Sequence, residues 1–454
     1  MSDRPNVIVF LTDQQRWDST GLHGNPLELT PNLDRMARQG THVNTSITCQ
    51  PVCGPARSSL QTGLYATRTG VWKNDAMALP SDMPTLANHF AGAGYHTGYI
   101  GKWHLASGDP VPADQRGGYQ TWLAANTLEH TSEPYRFTVY DEDEQEVTLP
   151  GYRVDAQTDA AIRFVSDHRD EPFFLFCSYL EPHHQNRTDD YPAPDGYRER
   201  YQGRWMPPDL AELGGSAHRQ IAGYWGMIKR LDEAYGRLLD ALKTLGLRDN
   251  TIILFTSDHG CHFKTRGNER EYKRSCQDAS VRVPTVLTGP GFFGGGEVAE
   301  LVSLIDLPPT LLDAAGIPVP GEMQGRSIVP LVRDGQRARS EWRNEVFIQI
   351  SESEIGRAIR TPRWKYAVTA LGRNGRSAPG ADEYTETFLY DLEVDPYELN
   401  NLVGLESHRK LADHLKRRLV SRMVEAGEPS PSAIHDAPPR RAPFARILPE
   451  EILM

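Results

Sequence analysis

The chain has 454 residues, 39% hydrophobic and 24% charged, and a formal net charge of −11. This composition is typical of a globular protein with a large core, and an acidic balance without a long basic run excludes nucleic acid and anionic membranes as expected partners. Five cysteines do not suggest a disulfide framework, and the apolar run near the N-terminus is too short for a signal peptide or a membrane span. We expect a cytoplasmic protein and leave a homo-oligomer open.

Apolar periodicity predicts alternating strands and helices along most of the chain, which indicates a doubly wound α/β domain. The long region 106–152 is rich in Gly, Pro and acids and is interpreted as an irregular surface insertion at the mouth of a site, or as scaffold loops. The predicted strands are 6–11, 95–100, 172–179, 251–255 and 284–288, and the predicted helices are 30–38, 83–93, 155–168, 216–245 and 307–315.

The pattern changes after about residue 333. Short strands are predicted at 346–350, 357–360, 364–368 and 387–391, followed by a helix at 406–426. These elements indicate a small α+β subdomain with an antiparallel sheet. The sequence therefore predicts a catalytic domain at 1–335, a C-terminal subdomain at 336–427 and a Pro-rich extended tail at 428–454.

Residues 49–63 carry the first chemical motif, in which Cys53, Pro55 and Arg57 form C-x-P-x-R. Pro55 suits the first turn of a helix, where a missing N–H costs nothing, so Cys53 falls at the helix N-terminus. A thiol there is either a reactive nucleophile, or the precursor of one, or a buried cysteine before a turn. The spacing alone leaves these readings open.

Polar pairs follow two of the predicted strands. Asp13-Gln14 comes after the first strand and Asp258-His259 after a late one. Because ligands gather at the carboxyl ends of parallel strands, the two pairs are candidates for one hard divalent cation. Each pair by itself is equally compatible with a helix cap or a turn.

The order of D-Q, C-x-P-x-R, G-K-W-H (101–104), P-H (182–183), S-D-H-G (257–260), a lysine and R-V-P (282–284) resembles the type I sulfatases of the alkaline phosphatase superfamily. The resemblance covers residues from about 5 to 403. It implies an α/β fold with a large mixed sheet flanked by helices, plus the small antiparallel subdomain. It also implies that a modification enzyme, acting before or during folding, converts Cys53 to Cα-formylglycine (3-oxoalanine), although Ala56 stands where the family usually has serine.

The resemblance also implies a metal site and a set of catalytic roles. The metal ligands would be Asp13, Gln14, Cys53, Asp258 and His259, holding Ca²⁺, with Mg²⁺ or Mn²⁺ as alternatives because Gln14 and His259 depart from the commonest ligands. Arg57 and Lys102 would hold the hydrated aldehyde, and Lys102 also binds sulfate. His104 would contact the same group, and Lys273 would be the second sulfate-binding lysine. His183 would contact sulfate and the leaving-group oxygen, although the adjacent His184 leaves open which ring faces inward.

The implied reaction is hydrolysis of a small sulfate monoester, with a sulfated carbohydrate favoured, to an alcohol and inorganic sulfate. One hydroxyl of a gem-diol at residue 53 attacks sulfur, the alcohol takes a proton from His183 or Lys273, and His104 removes the proton of the second hydroxyl as sulfate leaves. Lys264 and Arg266, in the cation-rich segment 262–270, are candidate substrate-binding residues or part of a solvated loop. The alternatives are a phosphonate monoester or phosphodiester hydrolase, an arylsulfatase for simple aryl sulfates, and a catalytically silent binding protein.

Overall fold

The structure is a computed structural model that describes residues 4–75, 77–266, 272–333 and 335–440. The strands of the larger sheet are β1 (Asn6–Thr12), β2 (Thr41–Ile47), β3 (His96–Lys102), β4 (Thr121–Ala125), β5 (Arg136–Tyr140), β6 (Glu146–Pro150), β7 (Phe173–Ser178), β8 (Thr251–Ser257), β9 (Arg282–Thr288) and β10 (Gly296–Ser303). Within the described residues these ten strands form one mixed sheet in the order β10-β2-β9-β8-β1-β7-β3-β4-β5-β6. The five central strands from β8 to β4 are parallel, so their carboxyl ends share one edge of the sheet.

Both faces of the central strands are covered. Alternate residues of β1 show this, since Val9 and Leu11 belong to the apolar cluster on one face and Ile8 and Phe10 to the cluster on the other. A strand buried on both faces must be apolar throughout, which explains the continuous apolar run of β1. The helices of the described residues are α1 (Pro31–Gln39), α2 (Cys53–Thr62), α3 (Ala66–Thr69), α4 (Leu86–Gly92), α5 (Leu128–Thr131), α6 (Arg153–Asp167), α7 (Tyr197–Tyr201), α8 (Pro208–Glu212), α9 (Ala217–Thr244), α10 (Asp278–Val281), α11 (Leu307–Ala314), α12 (Val329–Arg333), α13 (Gln336–Glu341) and α14 (Arg409–Glu425). Helices α2, α4 and α11 cover the first face, and α1, α6 and α9 cover the second.

The sequence-based prediction was wrong for the region 106–152. It contains β4, β5 and β6, which form one edge of the main sheet, and the short helix α5. Strand β2 and the opposite edge strand β10 were also not predicted. These strands alternate or mix polar and apolar residues because one side is half-exposed, so they lack the continuous apolar run that marks the central strands.

The second sheet lies in the C-terminal part of the chain. Its strands are β11 (Val346–Ile350), β12 (Gly356–Arg360), β13 (Trp364–Thr369), β14 (Glu383–Asp391) and β15 (Ala433–His435). The first four strands pair antiparallel in sequence order, as predicted, and α14 packs on the sheet. Part of the predicted extended tail is paired, because β15 adds to β14 as a parallel edge strand. Residues 441–454 of that tail lie outside the described residues.

The two sheets share an apolar cluster. Ile47 of β2 and Val281 of α10 pack with Ile348 of β11 and Ala358 of β12. The division of the chain at residues 335 and 427 therefore separates two sheets that are packed together, and we keep it as a proposal. No helix in the described ranges has the length and apolar character needed to cross a membrane.

Candidate active site

The candidate site lies along the edge where the five parallel strands end. Each of these strands is followed by polar groups that turn toward the N-terminus of α2. Asp13 follows β1, Asp258 follows β8, His183 follows β7, His104 follows β3 and Glu129 follows β4. Ligand sites form at the carboxyl ends of strands because the loops there converge while the strands themselves stay rigid.

Cys53 is the first residue of α2 and is 1% exposed. Pro55 lies in the first turn, as predicted, and the helix ends at Gly63 in the left-handed conformation with φ 70°. The Cys53 thiol receives a hydrogen bond from Lys273 Nζ at 2.9 Å and lies 3.2 Å from His259 Nε2. Burial would raise the pKa of this thiol, but the positive charges around it, led by Lys102 and Lys273, outweigh burial and hold the pKa well below its usual value.

Arg57 lies one turn further along α2 and ties the site together. Its Nη2 is 3.0 Å from Asp13 Oδ2, and its Nε is 3.2 Å from Asp258 Oδ2. Its Nη1 donates to the Lys102 carbonyl at 2.8 Å and to Ser178 Oγ at 2.5 Å. One guanidinium therefore fixes the ends of four elements relative to the residue-53 side chain.

Asp13, Cys53, Asp258 and His259 form a buried cluster whose ligand atoms all lie within 4.8 Å of one another. His259 Nδ1 donates to the Gly260 carbonyl at 2.9 Å, which leaves the Nε2 lone pair directed at the cluster. Burial raises the pKa of Asp258, and the nearby Asp13 charge adds to this effect. Two carboxylates and an imidazole lone pair converging in a buried space fit a divalent cation, which would remove their mutual repulsion.

Gln14 is next to this cluster and has a positive φ of 70°. Its amide Nε2 donates to Tyr191 Oη at 3.0 Å and to Cys261 Sγ at 3.4 Å. Its Oε1 lies 3.5 Å from Lys273 Nζ. Because these two acceptors hold the NH₂ end of the amide, its carbonyl oxygen faces the site and suits a hard cation.

Lys102 and His104 come from the G-K-W-H segment at the end of β3. The glycine of this motif is required, since φ is 110° at Gly101 and an added Cβ would lie 2.0 Å from the Ser178 carbonyl oxygen. Lys102 Nζ contacts Asp13 Oδ2 at 2.8 Å, and the lysine is fully buried. His104 also has a positive φ, of 61°, and its side chain helps to lower the pKa of the Cys53 thiol.

The two adjacent histidines after β7 have different surroundings. His183 Nδ1 donates to the His184 carbonyl at 2.6 Å, and His183 Nε2 lies 3.1 Å from Lys273 Nζ. The His184 ring instead stacks on Tyr272, with the ring centroids 4.3 Å apart. Burial lowers the pKa of His183, and the charge of Lys273 lowers it further. His183 is therefore the neutral ring that faces residue 53.

The main chain at Lys273 is held by His262, to which the sequence analysis assigned no role. His262 Nε2 donates to the Lys273 carbonyl at 2.9 Å, and the His262 main-chain N–H donates to the Tyr272 carbonyl at 2.7 Å. His262 is fully buried. These contacts fix the main chain from which the Lys273 ammonium reaches residue 53.

Lys264 and Arg266 lie further from residue 53 and contact other parts of the protein. Lys264 Nζ pairs with Asp189 at 2.7 Å and lies over the Tyr272 ring. Arg266 donates to two main-chain carbonyls near the end of β14, each at 2.7 Å. It also lines a cavity of about 290 Å³ that includes Lys273. Residues 267–270 of the same predicted segment lie outside the described residues.

Glu129 is the acidic group that the sequence analysis did not single out. It lies in α5 with 6% exposure, and its Oε1 is 3.2 Å from Lys102 Nζ. Its main-chain carbonyl accepts a hydrogen bond from Gln185 Nε2 at 2.9 Å. The available signal was positional: recognition of T-W-L-A-A as strand β4 would have put the residues after it at the same sheet edge.

Comparison with known proteins identifies the class of protein that carries this site. Residues 5–317 match the family model for sulfatases, and residues 269–425 match the model for the C-terminal part of N-sulphoglucosamine sulphohydrolase. The chain belongs to the sulfatase family, in the alkaline phosphatase superfamily, and is a sulfuric ester hydrolase. Members of this family typically contain a metal ion and a formylglycine derived from cysteine.

Individual relatives extend this similarity over most of the chain. An ulvan-active sulfatase from Formosa agariphila is 30% identical, and the alignment covers 94% of this chain and 82% of that protein. An N-acetylglucosamine-6-O-sulfatase from Bacteroides thetaiotaomicron is 25% identical, with 92% and 86% covered. Among solved structures, the putative sulfatase YidJ from Bacteroides fragilis superposes with a TM-score of 0.82 at 25% identity and covers 94% of this chain and 97% of that one.

Proposed function

We propose that this sulfatase cleaves the sulfate monoester of a small sulfated carbohydrate through a formylglycine made from Cys53. The supporting observation is the convergence on residue 53 of the buried acid–imidazole cluster and the Lys273 ammonium, 2.9 Å from Sγ. The Cys53 Sγ here stands for an oxygen of the modified side chain. The hydrated aldehyde would supply one hydroxyl to attack sulfur and a second that lets sulfate leave as the aldehyde re-forms.

The proposed cation ligands are Asp13, Asp258, His259 and the Gln14 amide oxygen, together with residue 53. When bound, the cation would supply positive charge that favours ionisation of the attacking hydroxyl. A donor set of mostly oxygen with one imidazole nitrogen suits Ca²⁺, with Mg²⁺ or Mn²⁺ as alternatives. Metal analysis of the purified protein and reactivation of chelated enzyme by each ion distinguish these three.

Lys273 is the group we assign as proton donor to the leaving alcohol. His183 Nδ1 is already donating to a carbonyl, so His183 Nε2 carries a lone pair and accepts from Lys273. The neutral imidazole therefore orients the ammonium, which holds the proton that an alcohol requires on leaving. Lys102 and Lys273 would bind the sulfate oxygens, and Arg57 would hold the modified side chain. His104, whose side chain helps to lower the pKa of the residue-53 thiol, is assigned as the base for the second hydroxyl.

The choice of a carbohydrate rests on two observations. The relatives named above include sulfatases named for ulvan and for N-acetylglucosamine-6-sulfate. The cavity beside Lys273 is lined by charged and hydrogen-bonding side chains, among them Arg266, Arg274 and Gln277. Together with the apolar side chains of Leu213 and Phe388 in the same wall, these groups suit the polar and apolar faces of a sugar. A panel of sulfated mono- and disaccharides compared with aryl sulfates by kcat/KM tests this choice.

The test of the mechanism uses the protein co-expressed with a formylglycine-generating enzyme. We expect the tryptic peptide containing residue 53 to be lighter by the difference between a CH₂–SH and a CHO group. The Cys53→Ala variant should fold like the wild type and release no sulfate. Sulfate release by that variant above the level of a mock preparation would contradict the proposal.

Hydrolysis of phosphonate monoesters is the second candidate function, as a side activity of the same site. A phosphonate monoester carries a single charge like a sulfate ester, and the described residues provide one acid–imidazole cluster at residue 53. Parallel assays with an aryl sulfate and an aryl phosphonate on the same preparation measure the preference. We expect the sulfate ester to have the larger kcat/KM.

A further inference from the structure

Glu129 places a negatively charged carboxylate in a site that is proposed to bind a negatively charged sulfate ester. Its side chain is 6% exposed, and its Oε2 is buried without a hydrogen-bond partner among the residues that the structure describes. Burial would raise its pKa, but nearby positive charge, led by that of Lys102, outweighs burial and lowers the pKa to about 2. Glu129 is therefore an ionised, half-satisfied carboxylate in the wall of the sulfate pocket.

Glu129 is not the carboxylate closest to Lys102. The lysine already pairs with Asp13 at 2.8 Å, closer than its 3.2 Å contact with Glu129. A buried charge with an unsatisfied oxygen has an energetic cost, and none of the proposed catalytic steps uses an anion at this point. The remaining consequence of Glu129 is electrostatic: it reduces the positive potential that Lys102, Arg57 and Lys273 create for the substrate.

We propose that Glu129 selects substrates by charge, accepting esters with one negative charge and disfavouring those with two. This inference rests on the proposed function, because it assumes that the substrate anion sits between Lys102 and residue 53. A sulfate monoester carries a single charge, whereas a phosphate monoester carries a second one above its second pKa of about 6. Repulsion of the wrong ligand by a fixed charge gives specificity that attractive contacts to such similar anions cannot supply.

The experiment compares two phosphorus esters that differ in charge and share the same reacting atom. Phenyl phosphate is a dianion at about pH 8, and phenyl methylphosphonate is a monoanion. Their dissociation constants are measured by calorimetry in the Cys53→Ala background, which cannot turn over. We expect the background protein to prefer the monoanion. Adding Glu129→Gln should strengthen dianion binding relative to monoanion binding by roughly 10- to 100-fold.

Two control variants separate charge from structure. Glu129→Asp keeps the charge and should keep the monoanion preference. Glu133→Gln removes an exposed carboxylate of the same segment, which pairs with Arg187, and should leave both affinities unchanged. Thermal unfolding of each variant checks the fold, and Glu129→Ala provides a second charge-removing variant if the glutamine is not tolerated.

The results of this binding experiment can be told apart from those of the sulfate-release test of the proposed function. Equal affinity of the background protein for the two esters would overturn the inference, whatever the variants do. An unchanged affinity ratio in a folded Glu129→Gln or Glu129→Ala protein would also overturn it. Failure of the modified wild type to release sulfate would instead contradict the proposed function, because the binding comparison does not depend on residue 53 reacting.

Discussion

Lys273 brings an ammonium group within hydrogen-bonding distance of both residue 53 and a neutral imidazole. Its three donors point to Cys53 Sγ, His183 Nε2 and, at 3.5 Å, Gln14 Oε1. A buried cation held by one thiolate and two neutral acceptors can give a proton to a leaving oxygen and also attract sulfate. Experiments can distinguish proton donation from sulfate binding, because only proton donation depends on the leaving group.

The Lys273→Met variant should reveal the proton-donor role through leaving-group dependence. We expect kcat/KM to fall about 10²- to 10⁴-fold for a sugar sulfate, whose alkoxide needs a proton. The fall should be at least tenfold smaller for p-nitrophenyl sulfate, whose phenolate leaves without protonation. Steady-state kinetics on both substrates test this. The Lys264→Met variant is the matched control, and equal losses for both substrates in Lys273→Met would argue against proton donation.

His262 should make the protein acid-sensitive. Burial lowers its pKa from 6.5 to about 4. Within the described part of the chain its Nδ1 has no hydrogen-bond partner, so a proton added there would lack an acceptor. Between these two values the unfolded chain binds a proton that the folded protein does not. The free energy of unfolding should therefore fall as the pH falls, by up to about 1.4 kcal/mol per pH unit from this residue.

The measurement is urea unfolding at about pH 7.5 and pH 5, compared between wild type and His262→Gln. Glutamine retains an N–H for the Lys273 carbonyl and does not titrate. We expect the wild type to lose roughly 2 kcal/mol more than the variant on acidification. Identical losses would show that His262 is not the titrating group.

At the scale of elements, the site depends on how the loop after β7 is joined to α5. Gln185 Nε2 donates to the carbonyls of Glu129 and Ser132 at 2.9 and 3.2 Å, and Gln185 Oε1 accepts from Arg153 at 3.3 Å. This amide therefore links the segment that carries His183 to the helix that carries Glu129. A proline at this position could not make these contacts.

We expect Gln185→Leu to lower the free energy of unfolding by roughly 1–3 kcal/mol, because two buried carbonyls and an arginine lose their partner. The same change should lower kcat/KM, since His183 and Glu129 are no longer held at a fixed separation. Gln145→Leu, at an exposed turn, is the control and should change stability by no more than about 0.5 kcal/mol. An unchanged free energy of unfolding in Gln185→Leu would show that these hydrogen bonds do not stabilise the protein.

At the scale of the whole molecule, a buried charge network joins the two sheets. Lys365 of β13 contacts Asp278 of α10 at 2.6 Å and Glu398 at 2.7 Å, and Arg360 contacts Asp278 at 3.3 Å. Burial would raise the pKa of Asp278, but the charges of Lys365 and Arg360 hold it well below its usual value. Because α10 follows Lys273 along the chain, the second sheet supports the position of a proposed catalytic group.

Lys365→Met should therefore affect both stability and activity. It leaves Asp278 and Glu398 buried without their shared cation, which costs about 3–5 kcal/mol. We expect a lower unfolding midpoint in urea together with a lower kcat. Removing the exposed Arg337–Glu341 pair by Arg337→Ala should cost about 0.5 kcal/mol at most. Equal effects of the two substitutions would contradict a structural role for the buried network.

The sequence by itself determined four of the five central strands, β8, β1, β7 and β3, and the family. Strands such as β1 and β7 are buried on both faces, so their apolar runs are visible without any tertiary information. The motifs are visible for a related reason. Chemistry at strand ends needs particular residue types at short spacings, as in C-x-P-x-R and G-K-W-H, and such spacings survive in the linear order.

Only the tertiary structure decided the edges of the sheet and the groups that act from a distance. Strands β4 to β6 and β10 are partly exposed, so their residue pattern alone did not separate them from loops. No motif in the linear order marks Gln185 or Lys365, and Glu129 is marked only by its place after β4, because each acts through a partner that is remote in sequence and close only after folding. Local spacing encodes the groups placed together at one strand end, whereas packing alone determines which charges and hydrogen bonds surround residue 53.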